Sequence, residues 1–302
     1  MQSSKNHDGE NLRGLADFKL SDLLISDEND FLFQTYVPKS LYGIVDVIVQ
    51  YQSSTPSSYK VLPNGKIELQ FLLEGSDVLD NKFEKSSGNN SQFAYLFSAT
   101  SKPHYPAFKK INMVLIIMSP IAAKLLFGLP AYVLKNSCIE PLILKNCINE
   151  IQDQLNSLPT FQDRARFLEM FLFRRMQESP DSFMMGKLLA QIEIINGQAN
   201  SSWHYTRLNL DHINFSKSHF HRLCNDWLGM SYYSHIQLQQ FRDAAFSLVE
   251  ANNLTDLALE HNYYDQAHFS RKFRQFADMT PGEFKNATKQ EDRETIVLPP
   301  FD

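Results

Sequence analysis

The stretch DQAHFSRKFRQF, Asp265 to Phe276, divides its side chains by type at helical spacing. Phe269, Phe273 and Phe276 recur at intervals of four and three and define one face to be buried. Gln266, Ala267, Ser270, Arg271 and Arg274 share the other face, which carries no acid after the leading Asp265. A strip of amide, hydroxyl and guanidinium donors binds an acceptor-rich surface. On B-DNA, Arg pairs with the guanine edge and Gln with the adenine edge, and a small Ala permits close approach and contact with a thymine methyl. The upstream stretch FSKSHFHRLCNDWLGMS, from Phe215, repeats the plan. Phe220, Leu223 and Trp227 form its apolar stripe, and Lys217, Ser218, His221, Arg222 and Asn225 face outward. The residue types assign base edges to Ser218, His221, Arg222, Gln266, Ala267, Ser270 and Arg271. Lys217, Lys272 and Arg274 suit phosphate oxygens, which set register rather than sequence.

Other chemistries find less support. Cys138, Cys147 and Cys224 are odd in number, widely spaced and without a C-x-x-C pair, which speaks against a disulfide framework or structural zinc. Cys138 and Cys147 read as small core residues in an apolar helical stretch. The histidines crowd between His204 and His268 but form no recognised ligand spacing, so no metal and no cofactor is expected. Before the helical half only His7 and His104 occur, too few for a metal-dependent barrel enzyme. No G-x-S-x-G elbow or phosphate-cradling glycine loop is present, and the chain is not expected to be an enzyme.

The elements that must hold these faces follow from the texture of the 302 residues. From about Phe31 to Ile117 the runs YGIVDVIVQYQ, KIELQFLLEG, QFAYLFSA and INMVLIIM alternate with polar turns, and Asn64-Gly65 marks a tight one. Short strands with such turns predict an antiparallel barrel or sandwich. Aromatic and apolar strand residues such as Phe71, Tyr95, Phe97 and Met113 could line a pocket in it or be plain core. Ser119 suits an N-cap, Pro120 a first helical position and Gly128 a C-terminal cap. Thr160 and Asp163 then cap a longer helix with a stripe of Phe161, Ala165, Leu168, Leu172 and Met176. From Phe183 to about Asn286 the chain reads as helical, and Asn253 caps a helix whose small Ala258 lets a neighbour approach. The expected organisation is a disordered leader (1–14), a β-rich sensor or dimerisation domain with C-terminal helices (15–178), a linker (179–182), an all-α domain (183–287) and a loosely held tail (288–302). The fold class is thus α+β and multidomain. The leader lacks an apolar signal core, and the run from Met113 is broken by Ser119, Pro120 and Lys124. The expectation is a cytoplasmic protein with no membrane partner.

The segment LTDLALEHNYYDQAHFSRKFRQFADMTPGEFK resembles the second helix-turn-helix of the AraC/XylS family of transcription regulators. Ala258, Asp265, Phe269, Ser270, Arg271, Phe273, Phe276, Thr280, Pro281 and Phe284 carry the likeness. The stretch from Phe215 to Val249 resembles the first motif plus the long linking helix. Asn262 stands where the family usually has glycine, and Leu210 where it tends to have alanine. The stretches LPNGKIELQFLLEG and LFGLPAYVLKN are similar to a cupin-like β-rich sensor domain found on some of these regulators. The resemblance implies two helix-turn-helix motifs whose reading helices enter successive major grooves about 10 base pairs apart. It implies double-stranded promoter DNA as partner, and it adds RNA polymerase, a small-molecule effector and a second copy of the chain.

The charge balance restrains that expectation. The whole chain carries a formal net charge of −5, and basic and acidic residues are equal in number between Ser201 and Gln290. Non-specific affinity for DNA should be modest and its salt dependence shallow. Two readings compete: an interaction protein that keeps the helical scaffold without reading DNA, and an enzyme whose barrel holds the catalytic site.

Overall fold

The computed structural model describes residues 31–81, 94–98, 100–139, 148–181, 216–288 and 295–297. Its β-rich part is built on one long strand. Strand β7 (Pro106–Met118) pairs along its second half with β2 (Val45–Ser53) and β4 (Ile67–Leu72). Its first half pairs with β3 (Ser57–Val61) and β5 (Asp77–Asn81). The main sheet continues outward to β1 (Phe31–Tyr36) on one side, and to β6 (Ala94–Ser98) and β8 (Ser137–Ile139) on the other. All these pairings are antiparallel, as the alternating sequence predicts. Asn64 closes the β3–β4 turn by accepting the Lys66 N–H on Oδ1 at 2.9 Å, and Gly65 supplies the left-handed φ of +70°.

Strand alternation sends side chains to two different cores. Ile48, Leu69, Phe71, Leu96, Val114, Ile116 and Met118 pack towards helices α1 (Ala122–Phe127) and α3 (Phe161–Glu178). Tyr51, Leu72, Phe108 and Met113 cluster apart from them, with Tyr95 alongside. Phe71 and Met113 therefore do not line one pocket, because they lie on opposite faces of the sheet; the Phe97 side chain is outside the described set.

Helix α3 follows α2 (Ile148–Ser157) and is capped as its sequence indicates, with Thr160 Oγ1 accepting the Asp163 N–H at 3.2 Å. Phe161, Ala165, Leu168 and Leu172 are buried and Met176 half-buried. Two polar side chains fasten α3 to the sheet. Arg164 donates to Gln50 Oε1 on β2 at 3.0 Å, and Glu169 accepts from Ser40 Oγ at 2.6 Å and from the Tyr36 hydroxyl. Burial alone would raise the Glu169 pKa, but these hydrogen bonds outweigh it and hold the carboxyl below its usual range.

Two details differ from the sequence reading. Helix α1 begins at Ala122, and Ser119 contributes its backbone carbonyl to the Ala122 N–H at 2.9 Å rather than a side-chain cap. Pro120 and Ile121 form a preceding turn, while Gly128 does take the left-handed cap at φ +65°. Cys138 lies in strand β8 rather than in a helix, because Ser137–Ile139 completes the sheet edge against β6; Cys147 lies outside the described residues.

The C-terminal part comprises α4 (Lys217–Leu228), α5 (Tyr232–Glu250), α6 (Leu254–Glu260), α7 (Gln266–Ala277) and α8 (Pro281–Ala287). Helix α5 is the spine. Its Phe241, Ala244, Ala245 and Leu248 pack with Leu257, Ala258, Phe269, Phe273 and Phe284. The tail strand β9 (Thr295–Val297) pairs in parallel with β3, so this part of the tail is held, contrary to the expectation of a loose end. The sequence-expected leader (1–14) and the stretch from Phe183 to Phe215, which includes Leu210, lie outside the described residues. Among the described residues no helix is long and apolar enough to cross a membrane, and no group of three His, Cys, Asp or Glu side chains could hold a metal ion.

Candidate nucleic-acid interface

The α6–α7 pair is set by capping at each joint. Asn253 Oδ1 accepts the Thr255 N–H at 2.8 Å to start α6. The turn then reverses through Asn262 at φ +59°, the left-handed conformation that Asn tolerates in place of glycine. Asp265 starts α7 by accepting the His268 N–H at 2.6 Å. Helix α8 opens with Thr280 and Glu283 in a reciprocal capping box and Pro281 in the first turn. Lys285 reaches back to the Ala251 carbonyl, which closes the motif on α5.

Within this frame the phenylalanines behave as their spacing predicts. Phe269 and Phe273 are fully buried and Phe276 nearly so. Phe273 meets Phe241, Phe269 and Phe284 edge-on at 5.2, 5.6 and 5.4 Å between centroids. Their burial turns Gln266, Ala267, Arg271 and Arg274 to solvent, with Ser270 and Lys272 half-exposed at the margins. The α4 helix is organised alike. Ser216 caps it by accepting the His219 N–H at 3.3 Å, while Phe220, Leu223, Cys224 and Trp227 are buried. Lys217, Ser218, His221, Arg222 and Asn225 are exposed. Burial raises the Cys224 thiol to about 12, so it is held as an inert thiol rather than a nucleophile.

Each helix therefore presents its candidate residues on one wet face. Two contributors escaped the sequence reading. Thr255, on α6, donates its hydroxyl to Gln266 Oε1 at 3.1 Å and steers that amide at the start of α7. Within α4, Arg222 Nη2 lies 2.8 Å from His219 Nδ1 and is held against its own helix. The second pair is visible in sequence as an i, i+3 spacing. The first joins residues eleven apart and needs the turn geometry to be seen.

Comparison with known proteins agrees with this geometry. Residues 210–287 match the family model described as a helix-turn-helix domain. YbfP of Bacillus subtilis, an uncharacterized HTH-type transcriptional regulator by name, is 35% identical over 77 residues, covering 25% of this chain and 26% of that protein. The invasion protein InvF of Salmonella typhimurium is 26% identical over 119 residues, covering 39% of this chain and 51% of InvF. The chain thus spans between a quarter and about half the length of these curated relatives. Among solved structures, ToxT from Vibrio cholerae aligns over 84% of this chain and 98% of its own, at 15% identity and a TM-score of 0.39. Capping, core and exposed faces at residues 216–287 agree with the match in sequence, and the C-terminal part of this chain carries a helix-turn-helix domain of the AraC type.

Proposed function

We propose that the chain is a sequence-specific transcription regulator that lays α4 and α7 in successive major grooves of promoter DNA. The observation that carries this reading is the pair of capped helices that each bury an aromatic face and expose donor side chains. These are Ser218, His221 and Arg222 on one, and Gln266, Ala267, Ser270 and Arg271 on the other. Lys217, Lys272 and Arg274 border them at positions suited to phosphates. In this reading the β-rich part senses a small molecule or mediates self-association, and it modulates a binding protein with no catalytic step of its own. RNA polymerase is the natural partner of such a regulator at a promoter.

The test is binding to the DNA upstream of the chain's own gene, against a scrambled duplex, across a salt series. Preference for the upstream DNA should fall on Arg271→Ala by about 1–3 kcal/mol, with specificity relaxed at one base pair. Lys272→Ala should weaken binding to all sequences alike. Intact preference in both variants would remove α7 from the reading surface.

A further inference from the structure

The two candidate reading helices end in the same way. Each closes on a left-handed cap, Gly229 at φ +74° for α4 and Asp278 at φ +52° for α7. Each cap is also held by the β-rich domain. A Cβ at Gly229 would lie 3.0 Å from the backbone carbonyl oxygen of Ala131, so glycine is what lets the turn Ala131–Leu134 come this close. Just before that cap, Trp227 is fully buried in the core shared with the sheet and α3, and the Lys124 ammonium stands 5.1 Å from its ring centroid.

The α7 cap is held by β3 and its neighbours. Lys60, only 4% exposed, donates to the Asp278 backbone carbonyl at 3.4 Å. The Tyr105 hydroxyl reaches the Asp278 carboxylate at 3.4 Å, and its ring lies 5.5 Å from the Lys60 ammonium. A cation at this place meets the negative end of the α7 dipole as well as the cap carbonyl. Two residues beyond Lys60, Leu62 is fully buried in the core of the C-terminal helices among Phe241, Phe273 and Phe276. Tail strand β9, which follows α8, returns to the same place and pairs in parallel with Tyr59–Val61.

Both attachments lie at the C-terminal ends of their helices. The N-terminal halves, with Lys217, Ser218, His221 and Arg222 on one and Gln266, Ala267 and Arg271 on the other, are left exposed. We propose that the β-rich domain is a jig that grips α4 and α7 by their C-terminal caps and so fixes the separation and angle of the two reading surfaces. The inference rests on the reading of α4 and α7 given above. Lys60, Tyr105, Lys124 and Gly229 are then positioning residues for DNA recognition, though none of them lies on a reading face. Any event in the β-rich domain that moves β3 relative to the turn at Ala131 changes the spacing the chain can read.

The test uses the full chain with Cys138, Cys147 and Cys224 replaced by alanine, and nitroxide labels on Ser218→Cys and Ala267→Cys. Pulsed electron resonance should give one narrow distance population for this parent. Adding Lys60→Met with Tyr105→Phe should convert it to a broad distribution while the far-ultraviolet spectrum stays unchanged. If that variant does not fold, Tyr105→Phe with truncation before Thr295 replaces it and should broaden the distance likewise. A parent that is already broad, or folded variants as narrow as the parent, would overturn the proposal. The measurement contains no DNA. Its failure therefore leaves DNA reading standing, whereas a narrow-distance parent together with an unlabelled wild-type chain that shows no sequence preference loses the DNA reading and keeps the grips.

Discussion

Replacing Phe273 by alanine separates the scaffold of α7 from its reading face. The ring is fully buried and is the meeting point of three others, Phe241 from α5, Phe269 from its own helix and Phe284 from α8, all edge-on within 5.6 Å. Truncating a buried Phe to Ala typically costs about 3–5 kcal/mol. Each lost edge-to-face pair adds about 0.5–1.5 kcal/mol in measured cycles, part of which is already inside that figure. The expected loss therefore lies at the upper end, near 5 kcal/mol. Urea unfolding followed by far-ultraviolet circular dichroism measures it, with Arg271→Ala as the companion. Arg271 is exposed two residues away on the opposite face and should leave the unfolding curve within about 0.5 kcal/mol of wild type. DNA binding should weaken by about 1–3 kcal/mol in Arg271→Ala with helix content intact, and should be lost together with helix content in Phe273→Ala. A Phe273→Ala protein within about 1 kcal/mol of wild type would refute the argument, because the four-ring cluster could not then be the core that fixes α7.

Three further outcomes follow from particular residues. Burial pushes the Glu68 carboxyl up to about 7, against a hydrogen bond from Gln70 that pulls it down, so the folded protein favours the protonated form. Its contribution to stability is fully present below the unfolded value of 4.5 and is lost as pH rises through about 7. Glu68→Gln should thus gain about 3 kcal/mol over wild type at pH 8 and little at pH 4, read from urea curves at the two pH values. Burial lowers His104 to about 3, so its neutral form is the folded one. Destabilisation from this group should set in below pH 6.5 and grow towards pH 3, a slope that His104→Gln should remove from the acid limb. At Asn262, held at φ +59°, Asn262→Ala should cost about 1 kcal/mol and Asn262→Gly nothing comparable, measured by the same unfolding assay.

The sequence was most legible where local rules and burial agree. The caps at Thr160, Ser216, Asn253, Asp265 and Thr280 occur as their residue types suggest, since each short oxygen side chain needs only its own backbone to act. The aromatic stripe of α7 fixed which residues face outward, because three rings at helical spacing can be buried in only one way. Ser119 shows the limit of the same rules. Its side chain could cap, but the chain leaves β7 through a turn whose backbone makes the hydrogen bond instead. Phe71 and Met113 show a second limit, since apolarity on neighbouring strands says nothing of which face a residue takes until the register is known.

What the sequence could not show is how the two parts share their cores. Leu62 reads as a residue of the β-rich half and Trp227 as one of the helical half, yet each is buried in the other's cluster. Hydrophobic periodicity identifies a face to be covered but not the element that covers it, and here the covering residues lie far away in sequence in each case. Lys60 makes the point in charge. By composition a strand lysine is a solvated cation, and at 4% exposure beside the Asp278 carbonyl it becomes a contact with the end of a helix. A β-rich part and a helical part therefore describe the secondary structure of the described residues, but the two share their cores. Deleting the β-rich half would expose Trp227 and Leu223 on α4 and leave the C-terminal core without Leu62. Loss of DNA binding on such a deletion would therefore report damaged packing as well as any lost sensor, and point substitutions at the shared contacts separate the two.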